Sequence, residues 1–485
     1  MQTADTGAAS SAQDADRSTP RDSVVREFTD FAQRLRFEDL DDATLRAAKR
    51  CLLDALGCAL GAYDFPPVEA LRRMARTATS SRPATMIGTR ESTTPEMAAF
   101  VNGAMIRCLD FNDDYFGSEV TNARGDTGPH PSDNLGSVLA AAQLAGADGA
   151  TTLLGIVLAY EVAGQLVDEV VIRSNGWDHP IIHSIATAAS TSRLLGLSAE
   201  ATAEALRLAV VPNICLYQTR VGHISNWKGL AGPNGSRSGL FATLLAEAGI
   251  TGPELAFEGA RGFMNQVGHH FSLGPFGDER RPFRIENTYF KQFPLRYEMQ
   301  LPVQLGFEAR RSVDPAQIEQ LWVFMERKSV TTRAAEAALW RPDNRETADH
   351  SGPYLIAAAL VDGVITEETF TAARYEDPAL LAVVDTVELI EDPAYTAAFP
   401  WRMPCRFEIT LRDGRMTTVM GERPKGHPGN PLSDDELTTK FLGQAEPRLG
   451  PSRAASLAEL IWNFERQASL RPLFDLMVVD PRGAD

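Results

Sequence analysis

Between Ser23 and about residue 265, apolar side chains recur at the three- and four-residue intervals of a helix, in segments thick with alanine and glycine. The runs are Ala43 to Gly61, Pro95 to Leu109, Leu135 to Ala145, Leu153 to Val167, Ile185 to Leu195, Ala199 to Val211 and Ser236 to Ala248. Small faces let helix backbones approach closely, so this pattern predicts a compact helical bundle almost free of strand. It is expected to open with Val24, Val25, Phe28, Phe31, Ala32 and Leu35 on one face and Ser23 capping the first turn. Residues 1–22 are read as a disordered leader: rich in Ala, Ser, Thr and Asp, they lack the basic start and apolar stretch of a signal peptide.

After about Pro282 the pattern changes. Ile318 to Met325 and Val383 to Ile390 read as strands, while Cys405 to Leu411 and Arg415 to Met420 flank Asp413-Gly414, a strong short-range hairpin signal. The Pro/Gly-rich stretch from Arg423 to Pro431 reads as a linker, after which helical spacing returns in Ser433 to Leu442 and Pro451 to Phe474. The expected fold is mainly α. A large all-helical domain (23–285) is followed by a smaller α+β domain with an antiparallel sheet (286–422) and a C-terminal segment (423–485) that returns to the helical domain. At 485 residues the chain is long enough for two cores.

Charge narrows the partners. Lys and Arg number 47 against 64 Asp and Glu, a formal charge of −17 that argues against nucleic acid and membrane surfaces. An anionic ligand would need cations gathered locally in one pocket. Cys51, Cys58, Cys108, Cys215 and Cys405 are scattered, with no spacing that suits zinc or an iron–sulfur cluster, so no metal is expected. The sequence is read as lacking a run of about 18 apolar residues that would cross a bilayer, and a cytoplasmic location is expected.

Four segments carry chemistry, each abutting a small-residue helix. Asp110, Asp113 and Asp114 crowd into Leu109 to Tyr115; neighbouring carboxylates raise one another's pKa, although a solvated helix end would read the same way. His130 stands between Pro129 and Pro131 in a stiffened loop, and Ser132, Asp133 or Asn134 can cap the helix that follows, where exposed N–H groups suit a carboxylate. His179 and His183 flank a helix start, but Pro180 between them makes a continuous helix through both improbable, and the HExxH arrangement of a metal site is absent. Trp227 to Arg237 combines Lys228, Arg237 and several glycines ahead of a helix expected from Ser236: an anion cradle, or a plain interhelical loop. It matches neither a P-loop nor a dinucleotide fingerprint.

The order and spacing of Leu53-Asp54-Ala55-Leu56-Gly57, Asn102-Gly103, Leu109-Asp110-Phe111-Asn112-Asp113, His130-Pro131-Ser132-Asp133-Asn134, Asp349-His350-Ser351-Gly352-Pro353-Tyr354 and Pro424-Lys425-Gly426 resemble the MmgE/PrpD family over residues 23 to 475. The resemblance is nearest to the 2-methylcitrate dehydratase branch; cis-aconitate decarboxylase and an iminodisuccinate epimerase share the family. It implies a helical domain with a smaller lid domain, a homodimer, no cofactor, and a small di- or tricarboxylate substrate. By motif, Asp110, His130, His179 and Lys228 take the active-site positions, and Lys291 and Tyr354 those contributed from the lid. Two departures stand out: Gln300 occupies a place where many relatives carry histidine, and Phe116 to Gly128 is longer than in the decarboxylases.

The chemistry so implied is dehydration by removal of a proton next to a carboxylate and loss of hydroxide, through an enediolate that nearby cations stabilise. Lys228, Lys291 and Arg237 are expected to hold carboxylates, with Asn134 beside them, while His130, His179 and Asp110 divide the acid and base roles. Decarboxylation or epimerisation on the same fold is the near alternative, and a non-catalytic carboxylate-binding protein the distant one.

Overall fold

The computed structural model describes residues 22–117, 128–267, 269–334 and 336–480. Residues 1–21 of the expected leader and most of the long Phe116 to Gly128 segment lie outside them. Asp22 does not belong to a leader: it is buried, and its carboxylate accepts the backbone N–H of Phe257 at 2.7 Å. Asp22, rather than Ser23, holds the cap position of the first helix, and neither side chain caps it.

The helical body is built from α1 (Ser23–Arg34), α2 (Asp42–Gly61), α3 (Pro66–Ala75), α4 (Pro95–Arg107), α5 (Leu135–Ala145), α6 (Gly149–Glu169), α7 (Pro180–Leu194), α8 (Ala199–Val210) and α9 (Lys228–Glu247). Asp41, Asp148 and Ser198 accept backbone N–H groups at the starts of α2, α6 and α8, and Gly146 at φ 61° ends α5. A two-residue ladder, β1 (Ala84–Thr85) with β2 (Ser92–Thr93), is the small strand content the bundle admits. α6 corrects the reading of apolar runs, being long and apolar enough to cross a bilayer; here 89% of its most apolar window is buried inside the protein. Its Glu161 and Asp168 pair with Arg284 at 2.6 and 2.7 Å, which anchors a polar strip within the core.

The largest departure is α9. The glycine-rich stretch expected as a loop is helical from Lys228, with Pro233 inside the helix. Its glycines are where neighbours come closest: a Cβ at Gly235 would stand 2.2 Å from the Pro180 carbonyl oxygen, and one at Gly239 2.3 Å from that of Ser184. α7 therefore lies almost directly on α9. Gly239→Ala should cost about 1–3 kcal/mol by forcing the two helices apart, read as a lowered urea midpoint; an unchanged midpoint would show that the contact can relax.

Among the described residues, the second core is organised on a four-stranded sheet, β3 (Ile318–Met325), β4 (Val387–Glu391), β5 (Cys405–Leu411) and β6 (Met416–Gly421), in the order β4-β3-β5-β6. The hairpin turns at Asp413-Gly414, with Gly414 at φ 84°. The sheet is mixed rather than antiparallel, because β4 pairs parallel to β3. A parallel neighbour demands a crossover, supplied by helices that include Gly352–Asp362 and Pro378–Val384. The expected strand from Val383 thus begins only at Val387, since Val383 and Val384 finish the helix that leads to it.

Apolar side chains of one core run from Val24 to Phe290 and resume from Leu432 to Met477; those of the other run from Leu295 to Leu411. The helix Asp434–Leu449, capped by Ser433 and Glu436, returns onto α2: Phe441 covers Gly57, and Lys440 reaches Asp54 at 2.6 Å and the Phe111 carbonyl at 2.8 Å. That lysine braces the loop after α4, where the acids cluster.

Candidate active site

The loop after α4 folds back around Asp110, whose φ of 52° makes it the non-glycine residue of positive φ in the described chain. Asp tolerates this region better than most residues, and here three cations hold it. Its Oδ1 accepts from Arg107 Nη1 at 2.8 Å and Lys291 Nζ at 2.6 Å, and its Oδ2 lies 3.1 Å from Lys228 Nζ. Burial works to raise its pKa, but Arg107, Lys228 and Lys291 overcome that and hold the carboxyl well below the usual range.

Backbone pairing sets this register. Asp114 and Tyr289 exchange N–H···O bonds of 2.8 and 2.9 Å, which carries Lys291 to Asp110 and places its Nζ 3.2 Å from Asp114 Oδ2. Burial drives the Asp114 carboxyl well above its ordinary pKa despite Lys291, and charged Asp110 adds to the rise. Lys228, at the first turn of α9, also meets both carboxylate oxygens of Asp349 at 2.7 Å. His350 completes the group, its Nδ1 2.5 Å from Asp349 Oδ1 and 3.7 Å from Asp110 Oδ2.

His130 sits beside this group, its Nδ1 3.3 Å from Asp114 Oδ1. Tyr115 N bonds to the Pro129 carbonyl, so the two loops run side by side and His130 Nδ1 meets the Asp113 carbonyl at 2.6 Å. A carbonyl only accepts, so Nδ1 carries the proton and Nε2 keeps its lone pair. Burial, with Arg107 and Lys291 nearby, holds the imidazole well below its usual pKa and so neutral. Asp113 is itself gripped by Ser132 Oγ at 2.6 Å and Tyr160 Oη at 2.5 Å.

The other histidines are used differently. His179 precedes Pro180, which starts α7, as the break between the two histidines requires. Its Nε2 faces Arg220 Nη2 at 3.2 Å, and since arginine only donates, the His179 proton lies on Nδ1. His183 Nδ1 faces Asn134 Nδ2 at 3.2 Å, an amide oriented by the Pro131 carbonyl and Thr187, so its proton lies on Nε2. The N–H of His183 thus turns toward Asp133, 3.6 Å from its Oδ2, while that of His179 faces Asp178 Oδ1 at 3.3 Å; Arg107 Nε is 3.8 Å from Asp133 Oδ2. Burial lifts Asp133 to about 7 against the pull of Arg107, and lowers His179 to about 4. With N–H groups rather than lone pairs presented, Asp133, His179 and His183 suit a buried hydrogen-bond cluster better than a set of metal ligands.

Asp110, His130, His179 and Lys291 line one cavity between the two cores, together with Arg107, Asp114, Arg173, Arg220, Arg296, Lys328 and His350. The local cations that a chain of charge −17 must gather for an anionic ligand are therefore present. Lys228 stands immediately behind, through Asp110 and Asp349. Three expected residues are elsewhere. Tyr354 is in the core of the smaller domain, its hydroxyl on the Thr369 carbonyl at 2.6 Å, because the helix from Gly352 turns it inward while His350, just before that helix, faces the cavity. Arg237 follows Lys228 by nine residues, about half a turn out of phase, and bonds to Asn234 beside the Phe100 ring. Asn134 is buried behind His130, orienting His183 rather than capping α5 or facing the cavity. Gln300 is also structural: its amide accepts from Gln292 N and Phe293 N and donates to the Phe293 carbonyl, shaping the bend after Lys291.

A helical body and a smaller α+β domain, with a cavity of arginines, lysines, acids and histidines at their seam, define a two-domain protein whose cavity gathers the cations an anionic ligand would need. The profile of the MmgE/PrpD N-terminal domain matches residues 26–275 and that of the MmgE/PrpD C-terminal domain matches residues 293–466; the chain belongs to the MmgE/PrpD family. Its curated relatives include a probable 2-methylcitrate dehydratase of Saccharomyces cerevisiae, 29% identical over 86% of this chain and 84% of that one. The 2-methylcitrate dehydratase of Escherichia coli K12 is 28% identical over 83% and 86%. A cis-aconitate decarboxylase of Mus musculus is 25% identical over 91% of both. These relatives are enzymes of one family with more than one reaction.

Proposed function

We propose that this protein is a cofactor-independent hydro-lyase that dehydrates a small tricarboxylate such as 2-methylcitrate. The observation that carries this reading is that one cavity is lined both by His130, whose Nε2 keeps its lone pair, and by the adjacent Asp114, whose carboxyl burial raises well above its ordinary pKa. His130 Nε2 takes the proton from the carbon next to a carboxylate. The electron pair left behind forms the carbon–carbon double bond as hydroxide departs, and hydroxide leaves as water with the proton of Asp114. Solvent exchange after product release restores both groups.

Charge that builds on the substrate carboxylate in the enediolate meets Lys291 and Arg107, whose positions Asp110 fixes before the substrate arrives. Lys228 acts from behind as a positioning residue, tying Asp110 to Asp349 and His350. His179 is assigned to orienting Arg220, because its Nε2 is already engaged. The names of the dehydratase relatives support the reaction; the resemblance to a decarboxylase supplies the rival.

Proton NMR in D₂O on chelator-treated protein separates them. With 2-methylcitrate, citrate and cis-aconitate offered in turn, the expected result is alkene formation from 2-methylcitrate. Loss of CO₂ from cis-aconitate with 2-methylcitrate untouched would overturn the dehydratase reading and leave the family standing.

A further inference from the structure

The cavity has a second pole that the chemistry above does not use. Arg173, in the 3-10 turn Arg173–Asn175 beyond α6, stacks over the Tyr217 ring at 5.1 Å. Among the described residues it has no carboxylate within ion-pair reach, and its buried Nε has no hydrogen-bond partner. Arg296 is buried and paired with Glu298 at 3.0 Å through Nη2, yet its Nη1 is likewise buried and unpartnered. The next residue, Tyr297, is 2% exposed and its hydroxyl also lacks a partner. All three side chains line the same cavity. Lys328 closes the group, 3.5 Å from Glu298.

Among the described residues, Arg173 and Arg296 thus keep buried guanidinium donors on this cavity that the ion pair of Arg296 with Glu298 does not occupy. Burial and the nearness of Arg173 pull Lys328 down to about 8, against Glu298 and Glu326, which work to raise it. Buried donors left unmade are costly, on the order of 1–3 kcal/mol each, so a site that keeps several of them pointed into one cavity is built for an acceptor that arrives with the ligand. Planar guanidinium groups with a phenol match the in-plane lone pairs of a carboxylate.

We propose that Arg173, Arg296 and Tyr297, with Lys328 alongside, form a second carboxylate subsite that selects ligands carrying a carboxylate beyond those held near Lys291 and Arg107. This rests on the reading of the ligand as a polycarboxylate, but not on its turnover. The subsite spans both parts of the fold, Arg173 from the helical body and the others from the smaller domain. A ligand that fills it also bridges the seam.

A matched pair of non-reacting probes tests it: tricarballylate, and glutarate, the same skeleton without the central carboxylate. Isothermal titration calorimetry of the full chain should show tricarballylate binding more tightly than glutarate. Arg173→Gln should weaken tricarballylate roughly 10- to 100-fold, the worth of one charge-assisted hydrogen bond, while glutarate changes less than about 2-fold. Tyr297→Phe, which removes one oxygen and keeps the packing, should move tricarballylate in the same direction by about 3- to 10-fold. Equal loss of both probes in Arg173→Gln, or no preference in the wild type, would overturn the subsite. Because neither probe reacts, a protein that failed to dehydrate 2-methylcitrate could still pass this test, and an active dehydratase could still fail it.

Discussion

Asp110→Asn should be the most damaging conservative change in the molecule, lowering stability by about 3–5 kcal/mol and turnover by roughly 10²-fold or more. The shape is kept, and asparagine accepts the left-handed backbone at φ 52° as readily as aspartate, so strain is not the cause. What is lost is one negative charge shared by Arg107, Lys228 and Lys291, all buried. Part of the loss is recoverable. Lys228 keeps Asp349, and Asp114, no longer beside charged Asp110, can ionise against Lys291. Arg107 has no such reserve, its next carboxylate being Asp133 at 3.8 Å. The pH dependence has a definite sign: a carboxyl with a depressed folded pKa adds stability above its unfolded value of about 4 and loses it as pH falls through the folded value. Wild type and variant should therefore differ by a constant amount in urea melts from pH 5 upward and converge only in strong acid. Coincident melts at pH 7 would mean that Asp110 does not organise the cluster.

Helices were legible where small and apolar residues alternate with a clean period. Leu135 to Ala145 is the helix the spacing predicts, and the strands Ile318–Met325 and Cys405–Leu411 begin and end where their alternation does. α9 was obscured because Gly229, Gly232, Gly235 and Pro233 are local helix breakers. The glycines nonetheless fall three apart, on one face, and each abuts another segment: Cys108, Asp133 and the Pro180 carbonyl respectively. Close packing offsets the propensity cost, so the spacing of the glycines, rather than their number, held the signal.

The site divides along the same line. Acids and histidines in proline-stiffened loops could be read locally, because each motif is short and its residues stay together. The cations that pair them come from far along the chain: Asp178 meets Arg220 and Lys228 meets Asp349 across 121 residues. No local pattern marks Arg107, Arg173 or Lys328, so only the fold brings them to the cavity. Tyr354 and Arg237 show the reverse failure. Each belongs to the right segment, and helical phase alone turns it away from the ligand.

His130→Asn should lower kcat by about 10²- to 10⁴-fold, the usual worth of a positioned base, with the melting temperature and KM nearly unchanged. The substitution is chosen for its geometry. Asparagine Nδ2 falls near the place of His130 Nδ1 and can keep donating to the Asp113 carbonyl, so the loop stays pinned while the Nε2 lone pair disappears. The pH profile then identifies the base. Burial with Arg107 and Lys291 nearby lowers the His130 pKa, so the wild-type rate should hold down through pH 6.5 and fall only in more acidic solution as Nε2 is protonated. In the variant that acidic limb should vanish. A wild-type limb near pH 7 would instead report a carboxyl raised by burial, and Asp133, lifted to about 7, would be the group to follow. A limb below pH 6.5 that survives in His130→Asn would remove the histidine from the proton transfer altogether.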